Sequence, residues 1–237
     1  MNKEKIFDEL AKIKSFTDFS PVVGEKGLVP IQPNFRLVLS HPEAVRLIVE
    51  ALAEKAGELD FDLIAGGEDT GIALGSELAA ILKKPFIYVR KVKSEGGEIE
   101  LVEGDYEAGQ KILLVDDIMI TGDTKIIFAN NLLEKDLKVV GILVIMSNAS
   151  EESLGNQKRL KKAKINVSYL FDLREIVEAM KKRGFISDEI YPYYLEYIEN
   201  PEKWQKNKAG WQEYCQIAKH KLNLPMPEEL EDLFKMK

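Results

Sequence analysis

The chain has 237 residues, of which 45% are hydrophobic, with a formal net charge of −7 and one cysteine. This composition suits one domain of moderate size with an appendage, and a net negative charge without a basic stripe argues against a nucleic-acid partner. A lone cysteine excludes an intramolecular disulfide. No apolar run approaches the roughly 18 residues of a membrane span and the N-terminus lacks a signal-peptide pattern, so we expect a cytoplasmic protein with no membrane partner.

The N-terminal part of the chain predicts two helices separated by an irregular segment. Ile6, Leu10 and Ile13 recur at helical spacing and predict an amphipathic helix. Prolines and glycines in residues 15–39 predict extended segments and turns. The sequence Ser-His-Pro-Glu at residues 40–43 is a capping-box pattern, which predicts a second helix from there to about residue 58.

The rest of the chain alternates short apolar runs with helical patterns. Predicted strands lie at residues 61–65, 86–89, 111–115, 139–146 and 167–171. Predicted helices lie at 72–82 and 125–133, and a helical tail follows at 172–183, at 187–199, and within 203–221 and 226–236. Because the strands are continuously apolar, we predict an α/β fold, with a mostly parallel twisted sheet and helices on both faces.

The most informative segment, residues 112–124, has the sequence ILLVDDIMITGDT. A buried strand is predicted to end at Asp116 and Asp117, and a glycine turn then opens a helix. The N–H groups at a helix start can bind a phosphate, with threonine hydroxyls beside them. Carboxylates at the carboxyl end of a strand can accept hydrogen bonds from sugar hydroxyls, or hold a metal directly or through water. Together these groups predict a phosphorylated sugar as the ligand.

This segment resembles the 5-phosphoribosyl 1-pyrophosphate (PRPP) signature of type I phosphoribosyltransferases, in which a hydrophobic strand leads to two acids and a Thr-Gly-x-Thr-like loop. The matching residues are Asp116, Asp117, Thr121, Gly122 and Thr124. The chain departs from the signature at Ile120, where the family usually has a hydroxyl or a small residue, although backbone amides can still hold the phosphate. Without the resemblance, the alternative is a doubly wound fold whose acidic strand end binds another ligand.

A second glycine-rich turn, Gly-Gly-Glu-Asp-Thr-Gly at residues 66–71, lies between a predicted strand and a predicted helix. Backbone amides at such a helix start, with the Thr70 hydroxyl, can hold a pyrophosphate. Glu68 and Asp69 oppose this by repulsion unless Mg²⁺ lies between them and the phosphates. Taken alone, the turn is better explained as a tight strand-to-helix connection. Its position ahead of the signature resembles the pyrophosphate loop of the same family.

The segment LKKPFIYVRK, residues 82–91, resembles the orotate phosphoribosyltransferase branch, in which this strand ends in Arg-Lys and leads into a catalytic loop. Arg90 and Lys91 could therefore reach pyrophosphate oxygens. The loop departs from the branch, because Ser94 stands at the position of the loop lysine and Lys93 lies one residue early. Residues 91–104 are polar and predict a mobile loop or a loose hairpin.

The acceptor side departs from this branch as well. The branch places an Asp-Arg pair after the strand that matches residues 141–146, and the arginine holds the carboxylate of orotate. This chain has Ser-Asn-Ala at residues 147–149. A site built around a buried charged contact loses affinity when the partner is missing. A neutral base, such as a purine or uracil, therefore stays open as the acceptor beside orotate.

The resemblance covers most of residues 15–185 and implies Mg²⁺-assisted displacement of pyrophosphate from PRPP by a nucleobase nitrogen, in a homodimer. It divides the chain into an N-terminal helix and hood at 1–40, a core at 41–185 and a helical C-terminal extension at 186–237. The implied catalytic residues are Asp116, Asp117, Lys93 and Arg90, with Asp117 as the metal ligand, directly or through water. The implied PRPP-binding residues are Gly67, Glu68, Asp69, Thr70, Arg90, Lys91, Asp116, Asp117, Thr121, Gly122, Asp123 and Thr124.

Two other function classes stay open. A PRPP- or nucleotide-sensing protein that has lost catalysis is favoured by Ile120, by the displaced loop lysine and by Asn148, and it predicts PRPP binding without pyrophosphate release. A phosphatase or sugar-phosphate binder on a similar sheet predicts no preference for PRPP over ribose 5-phosphate. The spacing between the acid pair and the Thr-Gly-x-Thr loop argues against the latter.

Overall fold

The computed structural model describes residues 2–16, 22–24, 27–31, 33–92, 100–148 and 159–222. Its strands are β1 (Val22–Gly24), β2 (Gly27–Val29), β3 (Leu63–Gly67), β4 (Phe86–Val89), β5 (Val102–Glu103), β6 (Lys111–Met119), β7 (Lys138–Ser147) and β8 (Asn166–Asp172). The strands β1 and β2 form an antiparallel pair, and the other six form one sheet with the order β5-β4-β3-β6-β7-β8. All neighbours in that sheet are parallel except β4 and β5. The predicted mostly parallel sheet is confirmed.

The helices of the described part surround this sheet. They are α1 (Lys3–Lys12), α2 (Pro42–Ala56), α3 (Thr70–Leu82), α4 (Asp123–Leu133), α5 (Leu173–Lys182), α6 (Tyr191–Glu199), α7 (Pro201–Lys206) and α8 (Lys208–Leu222), with a 3-10 helix at Phe35–Ser40. No helix in these described ranges is both long enough and apolar enough to span a membrane. The predicted helix within 226–236 lies outside the described residues.

The sheet is buried on both faces, which explains its continuously apolar strands. The neighbouring residues Leu113 and Leu114 of β6 point to opposite faces, because side chains alternate along a strand. Leu113 joins the apolar cluster formed with α1, α2, α3 and the C-terminal helices, whereas Leu114 joins a second cluster that includes Phe128 of α4. Helices therefore cover both faces, as predicted.

The start of α2 differs from its prediction. Ser40 lies in the 3-10 helix, and the N-cap residue is His41, whose side chain makes no capping hydrogen bond. The capping-box prediction at residues 40–43 is therefore wrong. Pro42 starts the helix instead, because its fixed φ suits the first helical position and its missing N–H costs nothing there.

The C-terminal helices pack against the N-terminal segment and share one apolar cluster with it. Trp204 of α7 is fully buried, and its Nε1 donates to the Leu28 carbonyl at 2.8 Å. The Tyr214 hydroxyl of α8 donates to the Pro30 carbonyl at 2.8 Å. Both polar groups of these large aromatic side chains are satisfied by backbone at or just after β2, so the extension holds that segment in place.

We expect Trp204→Leu to lower the free energy of unfolding by about 3 kcal/mol, because it opens a cavity and leaves the Leu28 carbonyl without the indole donor. Trp204→Phe keeps an aromatic ring and should cost less. Urea unfolding of both variants tests this expectation. Wild-type stability in Trp204→Leu would show that the extension does not hold the N-terminal segment.

Tyr197 of α6 makes the stability of the fold pH-dependent in the alkaline range. Burial raises the pKa of Tyr197 from 10.0 to about 12. Between these values the unfolded chain loses the phenolic proton while the folded chain keeps it, so stability falls as pH rises through this window. Relative to that of the wild type, the free energy of unfolding of Tyr197→Phe should rise by roughly 1 kcal/mol between pH 8 and pH 11. Urea unfolding at the two pH values measures this difference, and equal pH dependence of the two proteins would contradict it.

Candidate active site

The acid pair of residues 116–117 and the glycine-rich turn at residues 66–71 meet where the strand order of the sheet reverses. The chain passes from β3 to β4 on one side and later reaches β6 on the other side of β3. Open α/β sheets bind ligands outside the carboxyl ends of the strands at such a reversal. Gly66 of β3 lies opposite Val115 of β6, so the glycine-rich turn after β3 and the acid pair of β6 are neighbours.

The acid pair lies inside β6, which continues to Met119 and does not end at Val115 as predicted. Asp116 lies opposite Val144 of β7, and Ile118 lies opposite Met146. Aspartate has a low strand propensity, but pairing with the long central strand β7 outweighs it, because tertiary context decides which residues belong to a strand. The carboxylates therefore project from a strand of the central sheet.

Asp116 is 4% exposed, and both of its oxygens are engaged. Oδ1 accepts from the Asp117 N–H at 2.9 Å, and Oδ2 accepts from the ammonium of Lys125. Burial raises the pKa of Asp116 to about 6; the neighbouring Asp117 also raises it, and Lys125 opposes them. The carboxylate is paired with Lys125.

Asp117 is the more accessible acid of the pair. It is partly buried, and its Oδ1 accepts from the Ile118 N–H at 2.7 Å. An ionised carboxylate has about four acceptor positions on its two oxygens, so this one bond leaves capacity for sugar hydroxyls or for a metal. The geometry therefore favours Asp117 over Asp116 as the group that meets a ligand in the crevice.

Helix α4 begins at Asp123, directly after Gly122. Gly122 has a φ of +80°, a left-handed conformation that glycine adopts without strain. Glycine has no side-chain cap to offer, so the first-turn N–H groups can donate to an anion. The Thr121 hydroxyl donates to Asp123 Oδ2 at 2.6 Å, which places a carboxylate beside the predicted phosphate site.

The glycine-rich turn between β3 and α3 needs glycine because it packs directly against β6 and α4. A Cβ on Gly67 would lie 2.6 Å from Cε2 of Phe128. A Cβ on Gly71 would meet the Val115 carbonyl and lie 3.0 Å from the Cα of Asp116. Helix α3 starts within the turn at Thr70, two residues earlier than predicted, and Thr70 is buried.

Glu68 links this turn to the end of β4. Its Oε1 accepts from Nη1 of Arg90 at 3.5 Å, and its Oε2 accepts from the Lys91 N–H at 3.3 Å. The other end of the Arg90 guanidinium donates to the Tyr88 hydroxyl at 3.2 Å. Arg90 offsets the negative charge of Glu68, which reduces the repulsion that an acidic turn would exert on a pyrophosphate.

Part of the predicted catalytic loop is described. Arg90 N–H donates to the Leu101 carbonyl at 2.9 Å, and β4 pairs with β5 in antiparallel fashion. The two described ends of the predicted loop therefore lie side by side. Lys93, Ser94 and the other residues of 93–99 lie outside the described residues.

The end of β7 faces the C-terminal extension. Asn148 is fully buried, and its side-chain amide donates to the Ile198 carbonyl of α6 at 3.3 Å. Ser147 is also buried, and its hydroxyl has no hydrogen-bond partner in the described part of the chain. The extension thus covers the strand end at which the orotate branch carries its Asp-Arg pair.

Two further residues support the site, and sequence reasoning missed both. Lys125 is 5% exposed and pairs with Asp116, and the Asn131 amide donates to the Arg90 carbonyl at 2.7 Å. A signal for Lys125 was present, because it shares the i, i+3, i+4, i+7 stripe of α4 with Phe128, Ala129 and Leu132. A lysine on an otherwise apolar stripe indicates a buried cation with a partner.

Comparison with known proteins places these elements in a family. A family model described as "Phosphoribosyl transferase domain" matches residues 37–172. Orotate phosphoribosyltransferase of Fusobacterium nucleatum is 30% identical over 162 residues, which are 68% of this chain and 75% of that protein.

Solved structures share the fold. The structure of Leishmania donovani UMP synthase matches with a TM-score of 0.70 at 20% identity; the match covers 84% of this chain but only 42% of that one. Orotate phosphoribosyltransferase of Aeropyrum pernix matches with a TM-score of 0.62 at 22% identity, over 74% of this chain and 99% of that one.

The family match includes both turns, the end of β4 and the acid pair of β6, and it ends at Asp172, the last residue of β8 and the one before α5. Helices α5 to α8 therefore lie outside the family model. The sheet order, the two glycine-containing helix starts and the acid pair agree with the match over more than half of the chain. The chain belongs to the type I phosphoribosyltransferase family, on its orotate phosphoribosyltransferase-like branch, and is a pentosyltransferase.

Proposed function

We propose that this enzyme transfers the phosphoribosyl group of PRPP to orotate, as a step of pyrimidine nucleotide synthesis. A bond forms between C1 of the ribose and a base nitrogen, and the bond from C1 to pyrophosphate breaks. The proposal rests on one observation: Asp117, the start of α4 and the turn after β3 lie together where the strand order of the sheet reverses. A sugar carrying phosphate groups at both ends matches two anion-binding helix starts with a carboxylate between them.

Each part of the site receives one role in this proposal. Asp117, with Asp116 behind it, accepts hydrogen bonds from the ribose hydroxyls. The segment from Thr121 to Thr124 holds the 5-phosphate through backbone N–H groups and threonine hydroxyls. The turn from Gly67 to Thr70 holds pyrophosphate, and Arg90 and Lys91 offset the charge of this leaving group. Catalysis then comes from positioning and charge stabilisation, without a covalent nucleophile.

Mg²⁺ fits the donor set of this site. In the described part of the chain, no group of three or more His, Cys, Asp or Glu could hold a metal ion by itself. Mg²⁺ does not need such a group, because proteins usually bind it through one or two carboxylates, water and substrate phosphates. We assign Asp117 as its protein ligand, directly or through water. Bound with PRPP, the ion would offset the charge of the pyrophosphate.

The segment 91–104 is the proposed lid of the site. Closure would exclude water, which otherwise hydrolyses PRPP, and would bring Lys93 toward the pyrophosphate. In the orotate branch this loop reaches the partner's site, so we propose a homodimer for this chain as well.

Two observations bear on which base accepts the phosphoribosyl group, and they favour different bases. Orotate is favoured by the relatives, which are orotate phosphoribosyltransferases. A neutral base is favoured by the end of β7, because Asn148 is buried against α6 and neither Ser147 nor Ala149 offers a cation to a carboxylate.

Pyrophosphate release tests the proposal. The enzyme is incubated with PRPP, Mg²⁺ and one base at a time (orotate, uracil, adenine, hypoxanthine or guanine), and the nucleotide product is identified by chromatography. We expect release with orotate and formation of orotidine 5′-monophosphate. Release only with a neutral base would show that this base, and not orotate, is the acceptor. Saturable PRPP binding without release with any base would indicate a sensor.

A further inference from the structure

Lys125 is a buried cation in the first turn of the helix that begins at the predicted phosphate site. It is the third residue of α4, and its ammonium pairs with Asp116 Oδ2. The side chains of the two residues are 7% and 5% exposed, so water screens the pair very little. Removing a lysine from water is costly, and apolar residues often stabilise such a position equally well. A role beyond filling space would explain why the chain buries an ion pair here.

The carboxylate of Asp116 lies between α4 and the turn after β3. Its Oδ2 contacts Lys125 and would lie 3.3 Å from a Cβ on Gly67. Its Oδ1 accepts from the Asp117 N–H and would lie 3.0 Å from a Cβ on Gly71. One ion pair thus joins the first turn of α4 to β6 at the point where the other anion-binding turn packs on β6.

PRPP carries its 5-phosphate and its pyrophosphate at a separation set by the ribose. The two anion-binding turns belong to different segments of the chain, so their separation depends on the contacts that join them. We propose that Lys125 is a positioning residue for PRPP, which acts through Asp116 to hold the start of α4 in register with the turn after β3. This inference rests on the proposed PRPP chemistry and adds a residue outside the matched signature.

The test separates positioning from a general contribution to stability. Pyrophosphate release is measured for Lys125→Met with saturating base and varied PRPP, and then with saturating PRPP and varied base. We expect KM for PRPP to rise about tenfold, since a charge-assisted contact that aligns the binding turns is lost. The value of kcat and the KM for the base should stay within about twofold, because saturating PRPP restores the alignment.

Lys84→Met is the matched control. The Lys84 ammonium donates to the Phe61 carbonyl at 2.8 Å, next to the amino ends of β3 and β4 and away from the crevice. This variant should keep the wild-type KM for PRPP. If Lys125→Met does not give a folded protein by circular dichroism, Lys125→Gln replaces it under the same criterion, because its polar amide is easier to bury beside a carboxylate but lacks the charge and the length of the lysine that pairs with Asp116.

Three results would overturn the role of Lys125. These are a wild-type KM for PRPP in a folded Lys125 variant, an equal rise of KM for PRPP and for the base, and an equal rise of KM for PRPP in Lys84→Met. Failure of the proposed function is distinct, because wild-type enzyme would then release no pyrophosphate with any base, whether or not it bound PRPP in a calorimeter.

Discussion

Replacing Asp117 with asparagine is expected to weaken PRPP binding by at least about 100-fold. A hydrogen bond to a charged group is worth roughly 1.5–3 kcal/mol, and this carboxylate is proposed to accept from two ribose hydroxyls. Asparagine is close to aspartate in size but lacks the charge that also favours Mg²⁺. Because Asp117 is only partly buried and lies within β6, the fold should tolerate the change.

Isothermal titration with PRPP and Mg²⁺ measures the effect of Asp117→Asn. Asp188→Asn is the matched control, because Asp188 is an exposed carboxylate paired with Lys181, away from the acid pair. The control should bind PRPP like the wild type. Wild-type affinity in Asp117→Asn, with an unchanged melting temperature, would remove this residue from the proposed site.

Replacing Gly71 with alanine is expected to cost about 3 kcal/mol or more of unfolding free energy and to abolish PRPP binding. The new Cβ would meet the Val115 carbonyl and would lie 3.0 Å from both the Cα and Oδ1 of Asp116. Overpacking against backbone is costly, because the central strand β6 cannot move without disturbing the sheet. Any relief would also shift Asp116 and the turn after β3, which are proposed to hold the sugar and pyrophosphate.

The sign of the Gly71→Ala effect separates close packing from helix propensity. Gly71 lies in α3, where alanine is intrinsically the better residue by about 1 kcal/mol. Gly57 provides the control, because it caps α2 with a φ of −61° and a Cβ there would make only ordinary contacts, the nearest at 3.5 Å. Urea unfolding should show Gly57→Ala within about 0.5 kcal/mol of wild type. A Gly71→Ala protein as stable as the wild type would contradict the packing described for the turn.

The fold was largely predictable because its sheet is buried on both faces. Continuous apolar runs such as residues 111–115 and 139–146 identified the central strands, and these correspond to β6 and β7. Strand ends were less predictable. Strand β6 runs through Asp116 to Met119 because β7 pairs with it, and no local sequence pattern indicates that pairing. The 3-10 helix before α2 was missed for a similar reason, since Phe35 and Val38 are held by burial and not by a capping signal.

The site was predictable as far as local motifs describe it. The acid pair and the two glycine turns are continuous in sequence, and the sheet brings them together at its strand-order reversal. Contacts between distant segments were not predictable: Glu68 pairs with Arg90 across 22 residues, and Asn148 reaches Ile198 across 50. The packing of the C-terminal extension belongs to this class, because Trp204 and Leu28 are 176 residues apart in the sequence.

The most direct test of the account is a comparison of three ligands in the presence of Mg²⁺: PRPP, ribose 5-phosphate and pyrophosphate. If the start of α4 and the turn after β3 hold the two ends of one molecule, PRPP should bind at least about 100-fold more tightly than either part alone, because the second contact becomes intramolecular. Calorimetric titration of the wild-type enzyme gives all three affinities. Equal affinity for PRPP and ribose 5-phosphate would mean that the turn after β3 does not bind pyrophosphate, and it would contradict the proposed site.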